Sequence, residues 1–224
     1  MANSGTYNFN PPAGTLTLNA FARCGVKRAE ISPQHMEDAW LESNLLQADW
    51  GADGITWWTV ELKTQPLTQG TATYPVDTNV VSVLDVYISN GTTNRLILPF
   101  SRTDYASLAI PNQKGFPTSF WWNRLLDSTL TLWPVPDGSS TYTMYYYVYN
   151  QIEDNTPQQG GNVALPFFWL NAYTADLAHR LSRIYAPALE TVRKVDRDEA
   201  YARACKQVEP SQLYVTPGLS GYYR

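Results

Sequence analysis

Charged and reactive side chains are scarce in this sequence. Only 16% of its residues are charged, against roughly 25% in an average soluble chain. Two cysteines, Cys24 and Cys205, are too few for a disulfide framework. A chain that folds in a reducing cytoplasm keeps such cysteines reduced, so both are expected to be thiols.

Signatures of catalytic and cofactor-binding sites are also missing. The sequence contains no GxSxG, GxxxxGK[ST] or GxGxxG. His35 and His179 have no cysteine, histidine or carboxylate at a metal-site spacing, so each is expected to be solvated or capped. We expect no enzyme, no catalytic residues, no cofactor and no metal. Only a glycosidase pair of carboxylates, far apart in sequence, is left open.

Basic patches and long apolar runs are absent as well. The net charge is −4, the isoelectric point is about 5.1, and no run of Lys or Arg exceeds two residues. Tight phosphate binding is therefore not expected. No segment reaches the ~18 apolar residues of a membrane span, and residues 1–5 do not resemble a secretory signal. These features predict a protein that does not contact a membrane.

Aromatic residues are what the sequence has in quantity. Eight tryptophans and 15 tyrosines in a chain with few charges are typical of a large β-sheet core or of interfaces that a partner covers. Adjacent pairs in predicted strands, which must point to both faces, are candidate contacts with a partner: Trp57, Trp58, Trp121 and Trp122. The alternative is a carbohydrate-binding module, with Trp57, Trp121 and Trp133 stacking on sugars.

Hydrophobic spacing divides the chain into helix, strand and helix again. The pattern predicts an α+β fold, in which N- and C-terminal helices form a helical bundle and an antiparallel β-sheet domain is inserted between them. The predicted parts are an extended N-terminal arm (1–14), the bundle (15–54 and 166–208), the inserted sheet (55–150), a linker (151–165) and an extended C-terminal tail (209–224).

Local signals place the elements. Ser32-Pro33 predicts a helix start, Asn90-Gly91 a hairpin turn, and the capping box of Ser101 and Asp104 a helical turn. Predicted helices run from Thr15 to Cys24, from Pro33 to Trp50, from Pro166 to Tyr185 and from Pro187 onward, the last with Val192, Val195 and Ala202 facing inward. Predicted strands are 55–63, 80–88, 95–99 and 116–123, with 129–133 and 141–150 forming a hairpin.

The tail at 209–224 combines apolar residues with helix breakers. Pro210, Pro217, Gly218 and Gly221 prevent a helix, and a segment this short cannot bury itself. It therefore predicts a peptide that binds a groove or a sheet edge of a partner. Its candidate anchors are Leu213, Tyr214, Val215, Leu219, Tyr222 and Tyr223.

An ordered set of short motifs completes the sequence evidence for function. These are LLQADWGADG at 45–54, DVY at 85–87, SRTDY at 101–105, GFPT at 115–118, LWPVPD at 132–137, and LP at 165–166 leading through AHRL at 178–181 to YAP at 185–187. Their order over about residues 15–208 resembles the head-to-tail adaptor (connector) family of tailed bacteriophages, and in particular the short-tailed type, which includes packaged-DNA stabilisation proteins.

That resemblance implies a structural virion protein of the neck between capsid and tail, assembled in the host cytoplasm. Copies would form a ring, thought to be dodecameric, beneath the portal protein, with tail or nozzle proteins docked below. DNA would pass through the lumen without sequence-specific binding, and the ring would retain packaged DNA. The C-terminal tail would grip the portal, and the paired tryptophans would contact other subunits or tail proteins. The scarcity of basic residues fits such a conduit. In the alternative, the carbohydrate-binding module would be the receptor-binding module of a phage tail.

Overall fold

The computed structural model describes residues 5–6, 8–54, 57–156 and 160–206. The chain divides into two compact units. A helical unit comprises the described parts of Met1–Ser43 and Asn155–Arg224, and a sheet unit comprises those of Asn44–Asp154. The described residues form five α-helices: α1 (Ala13–Arg23), α2 (Pro33–Ala52), α3 (Arg102–Ala106), α4 (Leu170–Tyr185) and α5 (Glu190–Lys206).

The helical unit is organised around α4. This helix packs against both α1 and α5, and its inward side is fully buried at Tyr173, Leu177 and Leu181. Short 3₁₀ turns precede α4 and α5, at Phe167–Trp169 and Pro187–Leu189. α4 ends before Pro187, which cannot continue a hydrogen-bonded helix, and α5 follows after a single 3₁₀ turn.

The first helix begins earlier than predicted. It starts at Ala13, and the carbonyl oxygen of Pro12, not the hydroxyl of Thr15, accepts the first helical N–H bonds. Pro12 also bridges to Asn162, and the Ala13 N–H donates to the Gly161 carbonyl oxygen over 2.8 Å. Among the described residues of the segment predicted as a linker, four are buried: Ile152, Asn155, Val163 and Leu165.

The inward face predicted for the last helix is wrong. Val192 and Val195 are 50% and 54% exposed, and Ala202 is exposed too, whereas Ala200 and Ala204 are buried. Both sets recur at helical spacing, so periodicity alone could not decide between them. Alanines at the contact allow two helix backbones to approach closely, and the valines remain on the outside.

The sheet unit holds a seven-stranded sheet of order β1–β9–β3–β4–β6–β7–β2. Neighbouring strands are antiparallel except β4 and β6, which are parallel. A further parallel pair joins β5 to β8. The strands are β1 (Val60–Pro66), β2 (Thr73–Pro75), β3 (Val80–Ser89), β4 (Asn94–Phe100), β5 (Lys114–Gly115), β6 (Ser119–Asn123), β7 (Thr129–Trp133), β8 (Val135–Pro136) and β9 (Thr143–Asn150).

One face of this sheet encloses a core. Alternation along β9 buries Met144, Tyr146 and Val148 on that face, as period-2 side-chain direction requires. Residues of β2, at the far end of the strand order, belong to the same cluster, so the sheet curls around it. The fully buried members include Val86, Ile88, Leu130 and Leu132.

Two predictions within the sheet are correct. Asn90-Gly91 forms the turn between β3 and β4, where the Asn90 side chain accepts the N–H bonds of Thr92 and Thr93 and Gly91 has a φ of 87°. A positive φ is the conformation that favours glycine. The predicted capping box starts α3, because Ser101 and Asp104 each accept the other's backbone N–H.

Two others are wrong. β7 and β9 do not form a hairpin: β7 pairs with β6 and β2, and β9 lies between β1 and β3. Pro134 and Pro136 have no N–H to donate to a tight hairpin ladder. Trp57 and Trp58 do not alternate along a strand either, since Trp57–Thr59 is a 3₁₀ turn and pairing with β9 begins at Val60.

The α+β fold class is therefore confirmed, with a large sheet that is antiparallel apart from one pair. Packing of the terminal helices as a single bundle stays a prediction. No disulfide links Cys24 to Cys205, and Cys24 is buried with its thiol 3.2 Å from the Ala178 carbonyl oxygen.

Candidate interaction surfaces

The described residues bring together no group of His, Cys, Asp and Glu that could hold a metal ion. An open pocket of about 210 Å³ lies beside Asn79 and is otherwise lined by residues 151–154. It contains the carboxylates Glu153 and Asp154 and no nucleophile or histidine. Its side chains do not form the base–nucleophile arrangement that acyl or phosphoryl transfer requires.

His179 is buried rather than solvated, contrary to the sequence prediction. It is 3% exposed on α4. Burial, followed by the positive charges of Arg183 and Arg197, lowers the pKa of His179 below its usual 6.5. Among the described residues its Nε2 atom has no hydrogen-bond partner. The neutral imidazole is thus a core side chain.

A buried polar cluster joins α2 to α4. The Tyr173 hydroxyl lies 2.9 Å from the Ser43 hydroxyl, and the amide of Asn155 donates to both of them. Burial raises the pKa of Tyr173 to about 12, so the phenol stays neutral. Every member has a partner inside the unit, which is how buried polar groups are normally tolerated.

Two further contacts fix the same helices. On α4, Arg180 lies 3.6 Å from Asp176 and 3.5 Å from Glu42 of α2. The Tyr185 hydroxyl donates to the Asp38 carboxylate, and the ring of His35 stacks on that of Tyr185 with centroids 4.4 Å apart. The first half of α2 is therefore anchored by polar and aromatic contacts.

The other side of α2 is apolar and uncovered. Trp40, Leu41 and Leu45, which we call the α2 surface, are 46%, 56% and 46% exposed. Opposite them, Ala39, Leu46 and Trp50 are buried. The helix thus has apolar residues on two sides, and its exposed side also carries Glu37 and Asp49. Sequence reasoning missed the α2 surface, although LLQADW and the absence of Lys and Arg from 33–52 were visible signals.

A second uncovered stripe follows α5. Val192, Val195 and Ala202 are exposed three and seven residues apart, which places them on one side of the helix, and Ala188 in the preceding 3₁₀ turn is exposed as well. We call this stripe the α5 surface. It is the set, with Ala188 added, that the sequence predicted to be a core-facing stripe.

The outer face of the sheet carries the third apolar area. Tyr87 of β3 stacks on Tyr145 of β9, with ring centroids 5.1 Å apart. Leu96, which pairs with Tyr87, and Leu62, which pairs with Tyr147 of β9, are exposed. At the turn between β6 and β7, Leu126 is 97% exposed. Single exposed leucines are common in proteins, whereas contiguous apolar patches are typical of surfaces that meet other molecules.

The predicted tryptophan contacts are only partly accessible. Trp58, Trp121 and Trp122 are half-buried, and the side chain of Trp57 is not among the described ones. The Trp121 ring is stacked on Tyr105, with centroids 5.2 Å apart, and the Arg124 guanidinium lies 4.3 Å over the Trp122 ring. A sugar binds by stacking on the flat face of an aromatic ring. Tyr105 and Arg124 already cover one face of Trp121 and one face of Trp122, so the arrangement does not favour carbohydrate binding.

The predicted anchors of the C-terminal tail lie outside the described residues, and their role stays a prediction. The same holds for Trp57 as a contact residue. Contact roles for Trp58, Trp121 and Trp122 also remain predictions.

None of the described helices has the length and apolar character needed to cross a bilayer.

Comparison with known proteins identifies the family. No curated protein matches the chain. A family model described as SU10 adaptor protein matches residues 15–216, which is most of the chain. This protein therefore belongs to the SU10 adaptor protein family, a family of phage adaptors.

Proposed function

We propose that this protein is a head-to-tail adaptor of the virion neck: its copies form a ring beneath the portal, which extends the DNA conduit, retains packaged DNA and provides the docking platform for tail or nozzle proteins. Family membership supports the adaptor part. The observation that carries the rest is the amount of apolar surface left uncovered on α2, on α5 and on the outer face of the sheet.

Such surface favours assembly over chemistry. Large apolar side chains in contact with water are unfavourable by about 25 cal/mol for each Å² of apolar area. Separate areas on different elements would suit a subunit that contacts neighbouring copies as well as proteins above and below it. Two uncovered areas on one protomer allow head-to-tail contacts that close into a ring.

The charge balance supports a conduit for DNA. A protein that neutralises phosphates gains free energy from released counterions, and this gain would hold the DNA in place. A chain with a net charge of −4 and no basic patch avoids that gain. DNA would therefore pass through the lumen without sequence-specific binding.

The C-terminal tail is proposed as the grip on the portal. Ordering residues 209–224 opposes binding by about 1–2 kcal/mol of backbone entropy per residue, so the apolar anchors need deep pockets. Repetition around a ring compensates, because the attachment of one tail raises the effective concentration of the others.

The test uses DNA-filled capsids that carry the portal and lack the adaptor. The full chain should bind them, form a ring visible by electron microscopy, and reduce DNA release on heating. A chain truncated before residue 209 should fold, by circular dichroism, and fail to bind. A matched control, Ser211→Ala, keeps the tail and all of its apolar anchors.

Different failures are distinguishable in this experiment. If the full chain neither binds capsids nor retains DNA, the adaptor role below the portal is wrong. If the truncated chain binds and retains DNA as well as the full chain, the role stands and the tail is not the grip. A tryptophan-dependent hit on a glycan array would instead favour the carbohydrate-binding alternative.

A further inference from the structure

Asn90 is the only asparagine of the sequence that precedes a glycine. The side-chain amide of an asparagine can be attacked by the backbone nitrogen of the next residue, and a side chain on that residue hinders the attack. Gly91 has no Cβ, and no other described atom lies within 4 Å of the position that a Cβ would take. Both residues are exposed in the turn between β3 and β4, so water reaches the site as well.

Three hydrogen-bond donors converge on the Oδ1 atom of Asn90. They are the backbone N–H groups of Thr92 and Thr93, at 3.0 Å and 2.8 Å, and the Thr93 hydroxyl at 3.2 Å. When a nitrogen attacks Cγ, the Oδ1 atom becomes negatively charged. Donors that are already in place at such distances stabilise a developing oxyanion. The bonds that shape this turn are therefore placed to stabilise the transition state of an attack on Asn90.

The attacking nitrogen has a proton acceptor beside it. The Gly91 N–H donates to the Ser89 hydroxyl over 3.2 Å. The amide must lose this proton as the new bond forms, and a hydroxyl can accept one proton while it passes its own to water. Because the final acceptor is water or hydroxide, the reaction should become faster as the pH rises.

We propose that Asn90 is a site of spontaneous covalent modification, which the turn itself promotes. The Gly91 nitrogen forms a bond to Cγ of Asn90, the bond from Cγ to Nδ2 breaks, and ammonia leaves, which closes a succinimide ring. Water then opens the ring at one of its two carbonyl carbons. Attack at Cγ gives aspartate, and attack at the backbone carbonyl carbon gives isoaspartate. One water is consumed for each ammonia released, and no oxidant or cofactor takes part.

The two products change the turn differently. Aspartate keeps an acceptor for the N–H groups of Thr92 and Thr93 and adds one negative charge. Isoaspartate carries the main chain through Cγ, which lengthens it by one atom at the point where the Asn90 N–H donates to the Thr93 carbonyl oxygen over 3.3 Å. The modification therefore marks aged copies of the chain by charge, and some of them by an altered turn. It does not depend on the adaptor role.

Ageing of the purified full chain tests the proposal. The chain is kept in buffer at mildly alkaline pH and digested with trypsin, and the peptide of residues 64–95 is followed by mass spectrometry. This peptide also contains Asn79 and Asn94, which are exposed like Asn90 but precede larger residues. Conversion of amide to acid should occur first at Asn90, and an isoaspartate-specific methyltransferase should label the product. Equal conversion at the three asparagines would overturn the proposal.

Variants of the turn separate its geometry from the Asn-Gly sequence. Thr93→Val removes one donor and keeps the branched shape of the side chain. It should slow conversion about threefold to tenfold, which is less than the 10²–10³ of an enzymatic oxyanion donor because this donor is exposed and is one of three. Ser89→Ala removes the proton acceptor and should also slow conversion. Thr92→Val is the matched control, because it keeps the backbone N–H that bonds to Asn90, and should react like the wild type.

Denaturation provides the second control. In urea the turn is lost, so wild type and Thr93→Val should convert Asn90 at the same rate. Circular dichroism in buffer confirms that each variant is folded before its rate is compared. Equal rates for wild type and Thr93→Val in buffer would show that the turn does not promote the reaction. A difference of the same size in urea would show that the effect comes from the local sequence, and would also overturn the role of the turn.

Discussion

Each of the two units of this protein has its own kind of core. The helical unit contains most of the buried polar side chains: Thr17, Ser43, Asn155, Thr174, Asp176, His179 and Ser182. The sheet unit buries a cluster that is almost wholly apolar. One polar atom within that cluster is the hydroxyl of Tyr74, which accepts the Thr68 N–H and donates to the Thr71 carbonyl oxygen.

This difference follows from how each kind of element is aligned. In a sheet, backbone hydrogen bonds between strands fix the register, and a slip of one residue would turn the apolar side chains outward. Helices have no backbone bonds between them, and apolar ridges can pack in several similar ways. Polar contacts such as Tyr173 with Asn155 and Arg180 with Glu42 select one alignment.

The strongest test of this comparison removes the Arg180 charge. Arg180→Met leaves the buried Asp176 without its cation, and breaking a buried pair lowers the free energy of unfolding by about 3–5 kcal/mol. Urea denaturation followed by tryptophan fluorescence measures it. Arg203→Met is the matched control, because the pair of Arg203 with Glu199 is exposed and contributes about 0.5 kcal/mol or less. Equal effects would contradict the polar-core description.

A cavity in the sheet unit should come next. Leu132→Ala removes a fully buried side chain of β7 and should lower the free energy of unfolding by about 2–5 kcal/mol, through lost burial and the cavity left behind. Leu126→Ala removes the same atoms from a side chain that is 97% exposed and should change the same free energy by about 0.5 kcal/mol or less.

Removing one hydroxyl from the helical core should have a smaller effect. Tyr173→Phe leaves Asn155 and Ser43 with one partner fewer, and the free energy of unfolding should fall by about 1–3 kcal/mol. Tyr147→Phe on the exposed outer face of β9 is the control and should be close to neutral. A neutral Tyr173→Phe would show that the cluster does not select the helix alignment.

Acid should destabilise the protein through His179. Its pKa is lowered in the folded state, mainly by burial, so the unfolded chain binds more protons between that lowered value and about 6.5. Stability should therefore fall as the pH drops through this window and be unaffected above it. Melting temperatures from pH 8 to pH 5 test this. His179→Gln should flatten that part of the profile.

The smallest expected effect is at the capping box of α3. Ser101→Ala removes the acceptor for the Asp104 N–H and should lower the free energy of unfolding by about 1 kcal/mol. Ser101→Thr retains the acceptor and should recover most of that loss. A loss much above the Leu132→Ala value would mean that Ser101 has a role beyond the cap.

Local signals gave the sequence predictions that were confirmed. Asn90-Gly91 and the Ser101 capping box specify turns within four residues, and both occur where they were predicted. Strand order could not be predicted from local signals, because β9 lies between β1 and β3, whose residues are distant from it in sequence. No pattern in residues 143–150 identifies those partners, so a hairpin with β7 was wrongly predicted instead.

Surfaces were predictable only in part. Helical spacing identified Val192 and Val195 as one stripe, yet it could not say whether the chain itself or a partner covers that stripe. The α2 surface was missed because Leu41 and Leu45 share a helix with the buried Leu46, and two apolar sides in one helix resemble a single broad core face.

The strand order also limits when the chain can fold during translation. β9 pairs with β1 and β3, as in Tyr149 with Val60, so the sheet stays incomplete until about residue 150 has left the ribosome. Packing of α1 is delayed further, because its packing partner α4 ends at Tyr185. Cores built from such distant contacts form slowly and expose apolar surface meanwhile. A polypeptide released before about residue 150 would lack both cores, and one released between there and Tyr185 would lack the helical core.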